Sequence, residues 1–262
     1  VSSAWIFDQS HYDALNAARE ATVRNVLPDL KQRLGLKTAL DLGCGLGHYA
    51  DFLHNQGFDV LAVDGRTENV QEARRRFPHL RFEVADAQDP ALVNLGKFDL
   101  VFCFGLLYHL ENPFRVVRNI AELANKFTLV EGIVYPSPEP AMVLMDENHM
   151  EDQGLNFMAF YPSEACLIKM LRRAGFAECF TPNPMPDHPE YRVGTNGFRR
   201  RTVLGASKVP AVSASLTPWP DPSLEYDPWT MWPLYPSHPR TNSFYGAMDR
   251  WLHRKRRNSQ AR

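Results

Sequence analysis

The sequence predicts an α/β protein built on a mainly parallel sheet with helices on both faces, and three observations carry that reading. Short apolar runs alternate with longer amphipathic patterns, one such run leads straight into a glycine-rich loop, and acids stand at the ends of three successive runs. At 262 residues and 44% hydrophobic, the chain can bury the core of one such domain and still carry an insertion or a tail.

The elements follow in order. Residues 12–34 read as one or two helices, so 1–35 is expected to be an N-terminal helical segment before a domain at 36–206. The strand-like runs are 38–42, 59–63, 81–85, 98–104 and 127–134. Gly57 and Pro78 stop the helices between them, because glycine tolerates left-handed backbone and proline cannot continue a helix. After the fourth run Asn112 is placed to cap a helix with Pro113 at its first position, and Val116, Val117, Ile120, Leu123 and Ala124 form its apolar face. Residues 135–161 lack a period and are rich in Pro, Met, Asp and Glu, so they read as an insertion covering the carboxyl ends of the strands. Ser163 then caps a helix ended by Gly175, and 176–181 with 199–206 would close the sheet as an antiparallel pair. From 207 to 262 prolines alternate with aromatics. Prolines deny that tail regular structure while Trp219, Trp229, Trp232 and Tyr235 call for cover, so it is expected to wrap the domain or line the pocket mouth.

Charge narrows the partners. The formal net charge of −1 gives no global field toward nucleic acid. Six Lys/Arg and no acid lie in 250–262, a solvated tail or a phosphate-binding end. Cys44, Cys103, Cys166 and Cys179 show no CxxC spacing and sit in apolar or glycine-rich contexts, as reduced core thiols do, which fits a cytoplasmic protein. No segment approaches the ~20 apolar residues of a membrane helix, so no membrane partner is expected. The start at Val1 in place of Met points to sequence upstream.

The loop Asp41-Leu42-Gly43-Cys44-Gly45-Leu46-Gly47 lets backbone approach a ligand closely, since side chains at the glycines would collide with it. Gly45-x-Gly47-x-x-Ala50 also satisfies a variant dinucleotide fingerprint, which keeps a dehydrogenase in view. Two features oppose that. Counted from Gly43, the third fingerprint position is His48, too large for close strand–helix packing. Asp41 at the strand end suits a cationic ligand, whereas a pyrophosphate would be repelled. Asp64, some 20 residues after the glycines, is placed to accept both hydroxyls of an adenosine ribose. Asp86, followed by Ala87, can accept from an adenine amino group or cap its own loop.

The runs LDLGCGLGHYADFL, VLAVDGRTENVQEAR, FEVADAQD and KFDLVFCFGLLYHLENPFRVVRNIAEL resemble the successive motifs of class I methyltransferases that use S-adenosylmethionine (SAM), over roughly 36–130. PSEACLIKMLRRAGF is similar to that superfamily's late helix and carries the resemblance to about residue 206. The resemblance implies a Rossmann-like seven-stranded sheet with one antiparallel strand, and SAM as cofactor. It implies that Asp41 with Gly43, Cys44, Gly45 and Gly47 holds the methionine part, Asp64 with Gly65 the ribose, and Asp86 with Ala87 the adenine. Phe104 would flank the cofactor near its methyl group and Tyr108 would line its pocket. The segment from Phe104 to His109 resembles that of the bacterial enzymes that carboxymethylate the wobble uridine of transfer RNA. Those have a longer cationic N-terminal region that selects a carboxylated cofactor. Only residues 5–34 precede the fold here, so ordinary SAM is expected; sugar and other small-molecule methyltransferases share similar local sequence.

Methyl transfer from a sulfonium is an in-line displacement in which alignment supplies around 7–11 kcal/mol of the barrier. A base is needed only for an alcohol or protonated amine, and imidazole suits that task. His109, on the rim after the fourth strand, and His149, in the insertion, are the candidates; each also reads as a loop histidine. Glu131 ends the fifth strand over the same region. Arg19 reads as a solvated helical arginine or a clamp on the methionine carboxylate, and Arg199, Arg200 and Arg201 as alternating across an edge strand, with Arg200 able to meet an anionic acceptor. Asp146, Glu147, His149 and Glu151 lack the second His or Cys that would make a metal site, so no metal is expected. The reading is methyl transfer to oxygen, less readily nitrogen, of a small polar acceptor such as a sugar or biosynthetic intermediate. A transfer RNA methyltransferase and a non-catalytic SAM-binding scaffold are the alternatives.

Overall fold

The computed structural model describes residues 9–146 and 158–219. Thr38–Leu42 (β1), Asp59–Asp64 (β2), Arg81–Val84 (β3), Phe98–Phe104 (β4) and Ala124–Ile133 (β5) form the parallel part of one sheet. Between and before them run the helices Gln9–Leu34 (α1), His48–Asn55 (α2), Thr67–Arg76 (α3) and Pro113–Leu123 (α4). The local signals do what their chemistry requires. Asn112 accepts from the Arg115 amide at 3.0 Å and Pro113 opens α4, while Ala124, expected on that helix, already begins β5. Ser163 caps the helix Glu164–Ala174 (α5) by accepting from Cys166, and Gly175 closes it in the left-handed region.

Three corrections concern the second half of the chain. Within the described residues of the insertion, Met142–Asp146 (β6) and Met158–Pro162 (β7) form an antiparallel pair outside the main sheet, where no regular element was expected. Four of the five residues of β6 are apolar and all but Val143 are exposed, so there is no polar alternation from which to read a strand. The strands Glu178–Pro182 (β8) and Arg201–Ser207 (β9) pair antiparallel as expected, but β9 lies between β5 and β8 and not at an edge. The seven expected strands are joined by an eighth, Leu216–Pro218 (β10), antiparallel on β8. The first residues assigned to the tail therefore belong to the sheet; those beyond 219, and His149, lie outside the described residues.

Strand order is β10-β8-β9-β5-β4-β1-β2-β3. The chain winds outward from β1 to β3, then crosses back to β4 and continues the other way. That reversal opens a crevice at the carboxyl ends of β1 and β4, the place where open α/β sheets bind ligands. The core is one layer on each face. Val101, Val116, Ile120, Leu171 and Leu204 pack under α4 and α5. Leu27, Leu30, Leu53, Val70, Phe102 and Phe127 pack under α1, α2 and α3. Among the described residues no helix is long and apolar enough to cross a membrane.

Candidate cofactor and acceptor site

The glycine loop is tied to the neighbouring strand. The amides of Gly43 and Cys44 both donate to the Val63 carbonyl at 2.9 Å, which folds the chain back over β2. Gly43 has φ +78°, and a Cβ there would stand 2.9–3.0 Å from Leu106; Gly47, at φ +88°, would meet Phe77 and Phe82 at 3.0 Å. At Gly45 a Cβ would point into open space, so this glycine is the one that leaves room for a ligand against bare backbone. Cys44 is buried and its thiol pKa is raised by burial and by Asp41 and Asp64, which makes it an inert wall. Gly43→Ala should cost about 1–2 kcal/mol of stability from the left-handed strain alone. It should also lose part of the thermal shift given by SAM, because Leu106 must move into the crevice; an unchanged melting temperature with full SAM protection would refute the close approach.

Asp41 is the penultimate residue of β1, at 2% exposure. One carboxylate oxygen accepts from the Ala50 amide of α2, and Oδ2 has no hydrogen-bond partner. An orphaned buried carboxylate oxygen beside a bare-backbone loop fits a cationic ligand group and does not fit a phosphate. Asp64, at the end of β2, is half-buried: Oδ2 accepts from Gly45 N–H at 2.9 Å, and Oδ1 from Arg66 N–H at 2.9 Å and Asn69 Nδ2 at 3.1 Å. These donors fix the carboxylate at the loop's side with Gly65 exposed next to it. Asp86 is exposed, and its Oδ1 accepts from the Gln88 amide at 2.8 Å, so it caps its own loop. Ala87 is buried. Its carbonyl and that of Asp89 are held by Asn119 Nδ2 at 2.8 and 3.0 Å, a buried helical amide that sequence reading passed over.

Phe104 stacks on Phe102 at 3.9 Å and meets Tyr49 edge-on at 5.4 Å, within the α1–α2 layer. Tyr108 and His109 lie in the 3₁₀ turn Leu107–His109 with their rings 4.1 Å apart. The Tyr108 ring packs against Gly132 of β5 and edge-on to Tyr161 of β7 at 6.0 Å. His109 is half-buried, on the rim between β4 and the β6–β7 pair.

The largest departure from the sequence reading is Glu131. Arg19, expected to be solvated or to face the cofactor, is 4% exposed and its Nη2 lies 3.0 Å from Glu131 Oε2. Arg201 Nε donates to Oε1 at 2.7 Å and the Tyr191 hydroxyl donates to the same oxygen at 2.6 Å. Arg19 Nε in turn donates to the Tyr191 hydroxyl at 2.9 Å, and Arg201 Nη2 to that of Tyr108 at 3.0 Å. Although burial opposes it, the two guanidiniums hold the Glu131 carboxyl down at about 2. Oε2 keeps its ion pair with Arg19 off the hydrogen-bonding angle and so has no hydrogen bond. Arg200, expected to reach an anionic acceptor, is exposed and lies 3.6 Å from Glu190.

Two open depressions, of about 460 and 600 Å³, lie at the opposite, amino ends of the strands. The first is lined by Thr38, Asp59 and Arg81, the second by Leu27, Lys31 and Phe58; neither gathers the loop, the three acids or the rim histidine.

Comparison with known proteins agrees with this geometry. The family model "Methyltransferase domain" matches residues 17–178, more than half of the chain. The chain is 31% identical over 153 residues to the tRNA U34 carboxymethyltransferase of Pseudomonas putida, covering 54% of this chain and 46% of that one. It is 28% identical over 127 residues to the ubiquinone biosynthesis O-methyltransferase of Aliivibrio fischeri, covering 47% and 54%. It thus spans about half the length of the curated relatives it matches. Its fold is that of the N-terminal domain of EvdMO1 crystallised with SAH bound, with a TM-score of 0.57 at 23% identity over 72% of this chain and 78% of that one. Motif order, sheet topology and family match together show that the chain belongs to the SAM-dependent methyltransferases, whose cofactor is S-adenosylmethionine.

Proposed function

We propose that the chain transfers a methyl group from SAM to an oxygen of a small polar acceptor such as a sugar or biosynthetic intermediate. The observation that carries this reading is the orphaned Asp41 oxygen beside the open Gly45 backbone, with His109 on the rim beyond β4. SAM supplies an electrophilic methyl group on a sulfonium, and the protein's residues do the aligning. In this reading Asp41 and the loop hold the methionine part, Asp64 the ribose and Asp86 with Ala87 the adenine. Phe104 and Tyr49 present an apolar wall that excludes water from the reacting centre. His109 takes the acceptor's proton as its oxygen bonds to carbon, with His149 of the insertion as the other candidate base. Nitrogen as acceptor atom ranks second.

The transfer RNA reading has the Pseudomonas putida match in its favour. One experiment separates the two. Purified full-length chain is titrated with SAM and SAH, then assayed for methyl transfer against sugars, phenols, carboxylic acids and bulk transfer RNA. Binding followed by transfer to a small hydroxyl compound, with His109→Gln slowing turnover at least about tenfold, supports the proposal. Binding of neither SAM nor SAH, or transfer to RNA alone, overturns it. Cofactor binding without transfer to any of these acceptors would favour the scaffold alternative.

A further inference from the structure

Asp41 is a carboxylic acid site with unusual surroundings. It is paired in register with Ala62 of β2 on one side and Phe102 of β4 on the other, and it is almost wholly enclosed. One oxygen takes the Ala50 amide and the other takes nothing. The titratable groups that face it are Asp64 from β2, Cys44 from the loop and Cys103 from β4, with Glu131 beyond Cys103. From α2 comes only a backbone amide, since His48 is turned to Glu20 and Tyr49 to Asn16. From α1, the Arg19 guanidinium is committed to Glu131 and Tyr191. The charge that reaches Asp41 is therefore a second carboxylate.

We propose that Asp41 carries a proton in the ligand-free protein and loses it to solvent when the α-ammonium of the cofactor's methionine part settles against it. The inference rests on the reading of Asp41 as the methionine-side residue of the site. Chemically, the carboxyl O–H bond breaks, the proton passes to buffer, and the carboxylate left behind forms a charge-assisted pair with the ammonium. No electron is transferred. The driving force is plain: one amide is too little to hold a buried carboxylate, and the proton fills the empty Oδ2 until a cation replaces it. Burial first, and Asp64 second, push the Asp41 carboxyl up to about 8, in the direction this exchange needs. The sulfonium is consumed in the reaction but the ammonium is not. SAH should therefore release the proton on binding just as SAM does, and departure of the product should take it up again.

The test is calorimetry of the full chain at pH 7 with SAM, SAH and adenosine, each in phosphate and in Tris, which differ in heat of ionisation. Close to one proton should be released with SAM and with SAH, and none with adenosine, which lacks the methionine part. Between pH 6 and 7 the SAM dissociation constant should fall about tenfold. Asp41→Asn, which cannot ionise, should bind without any buffer dependence. Equal heats for SAM in the two buffers, or equal proton release with adenosine, would overturn the proposal while leaving the cofactor assignment intact. Failure of SAM to bind at all would instead bring down the underlying reading.

Discussion

Glu131→Ala should lower the stability of the folded chain by about 3–5 kcal/mol in urea denaturation, the largest single effect expected in this molecule. The loss would not come from side-chain volume. Arg19 and Arg201 are buried at 4% and 6% exposure, and without Glu131 their two positive charges are left with two phenols, the Asn16 amide oxygen and a longer 3.8 Å pair from Arg201 to Glu190. Glu131→Gln preserves shape and should cost nearly as much; a loss under about 1 kcal/mol for Gln would show that packing and not charge holds this end of the sheet. The pH dependence has a definite sign. The Glu131 carboxyl is lowered on folding from 4.5 to about 2, so its contribution is fully present above pH 4.5 and drains away as pH falls from there toward 2. Wild type and Glu131→Gln should accordingly converge in melting temperature across that acid window.

The second large effect concerns the cofactor. On the ribose role proposed for Asp64, Asp64→Ala should weaken SAM binding at least about a hundredfold, because two hydrogen bonds from ribose hydroxyls to a charged group would be lost, each worth about 1.5–3 kcal/mol. The substitution also removes the acceptor of the Gly45 amide and of Asn69, so the loop loses the tether at its open glycine. Asp64→Asn separates the two contributions, since it keeps an acceptor for the loop while giving up the charge. Titration of SAM into both variants reads the result. An unchanged dissociation constant in Asp64→Ala would refute the ribose assignment.

The parallel strands, the α4 and α5 caps and the glycine turn after β1 were legible because their signals are local: Asn112 and Ser163 reach amides three residues on, and Gly43 answers a left-handed turn in its own loop. The pair β6–β7 was not legible, since Met142, Val143, Leu144 and Met145 show no alternation. The strand β10 was hidden in proline-rich sequence, although Pro218 suits an edge strand, where a missing amide can face away from the ladder. The Glu131 cluster escaped for a different reason. Its members come from positions 19, 108, 131, 191 and 201, and no spacing rule connects them. One hint was present. An acid inside the largely apolar run 127–134 calls for a cation or strong hydrogen-bond donors if that run is buried, and they must come from elsewhere in the chain.

That cluster also defines what counts as one folding unit. The family match ends at residue 178, yet a polypeptide cut there would keep Arg19 and Glu131 while lacking Tyr191, Arg201 and the whole of β9. The side of β5 that β9 covers would become an open edge, with a half-neutralised acid at its end. During synthesis the same situation exists briefly in every nascent copy: the parallel strands have emerged, but the ion cluster cannot close until about seventy residues after Glu131 have left the ribosome. The last strands are thus no optional extension of the catalytic domain, and the shortest fragment able to stand alone has to run through β9.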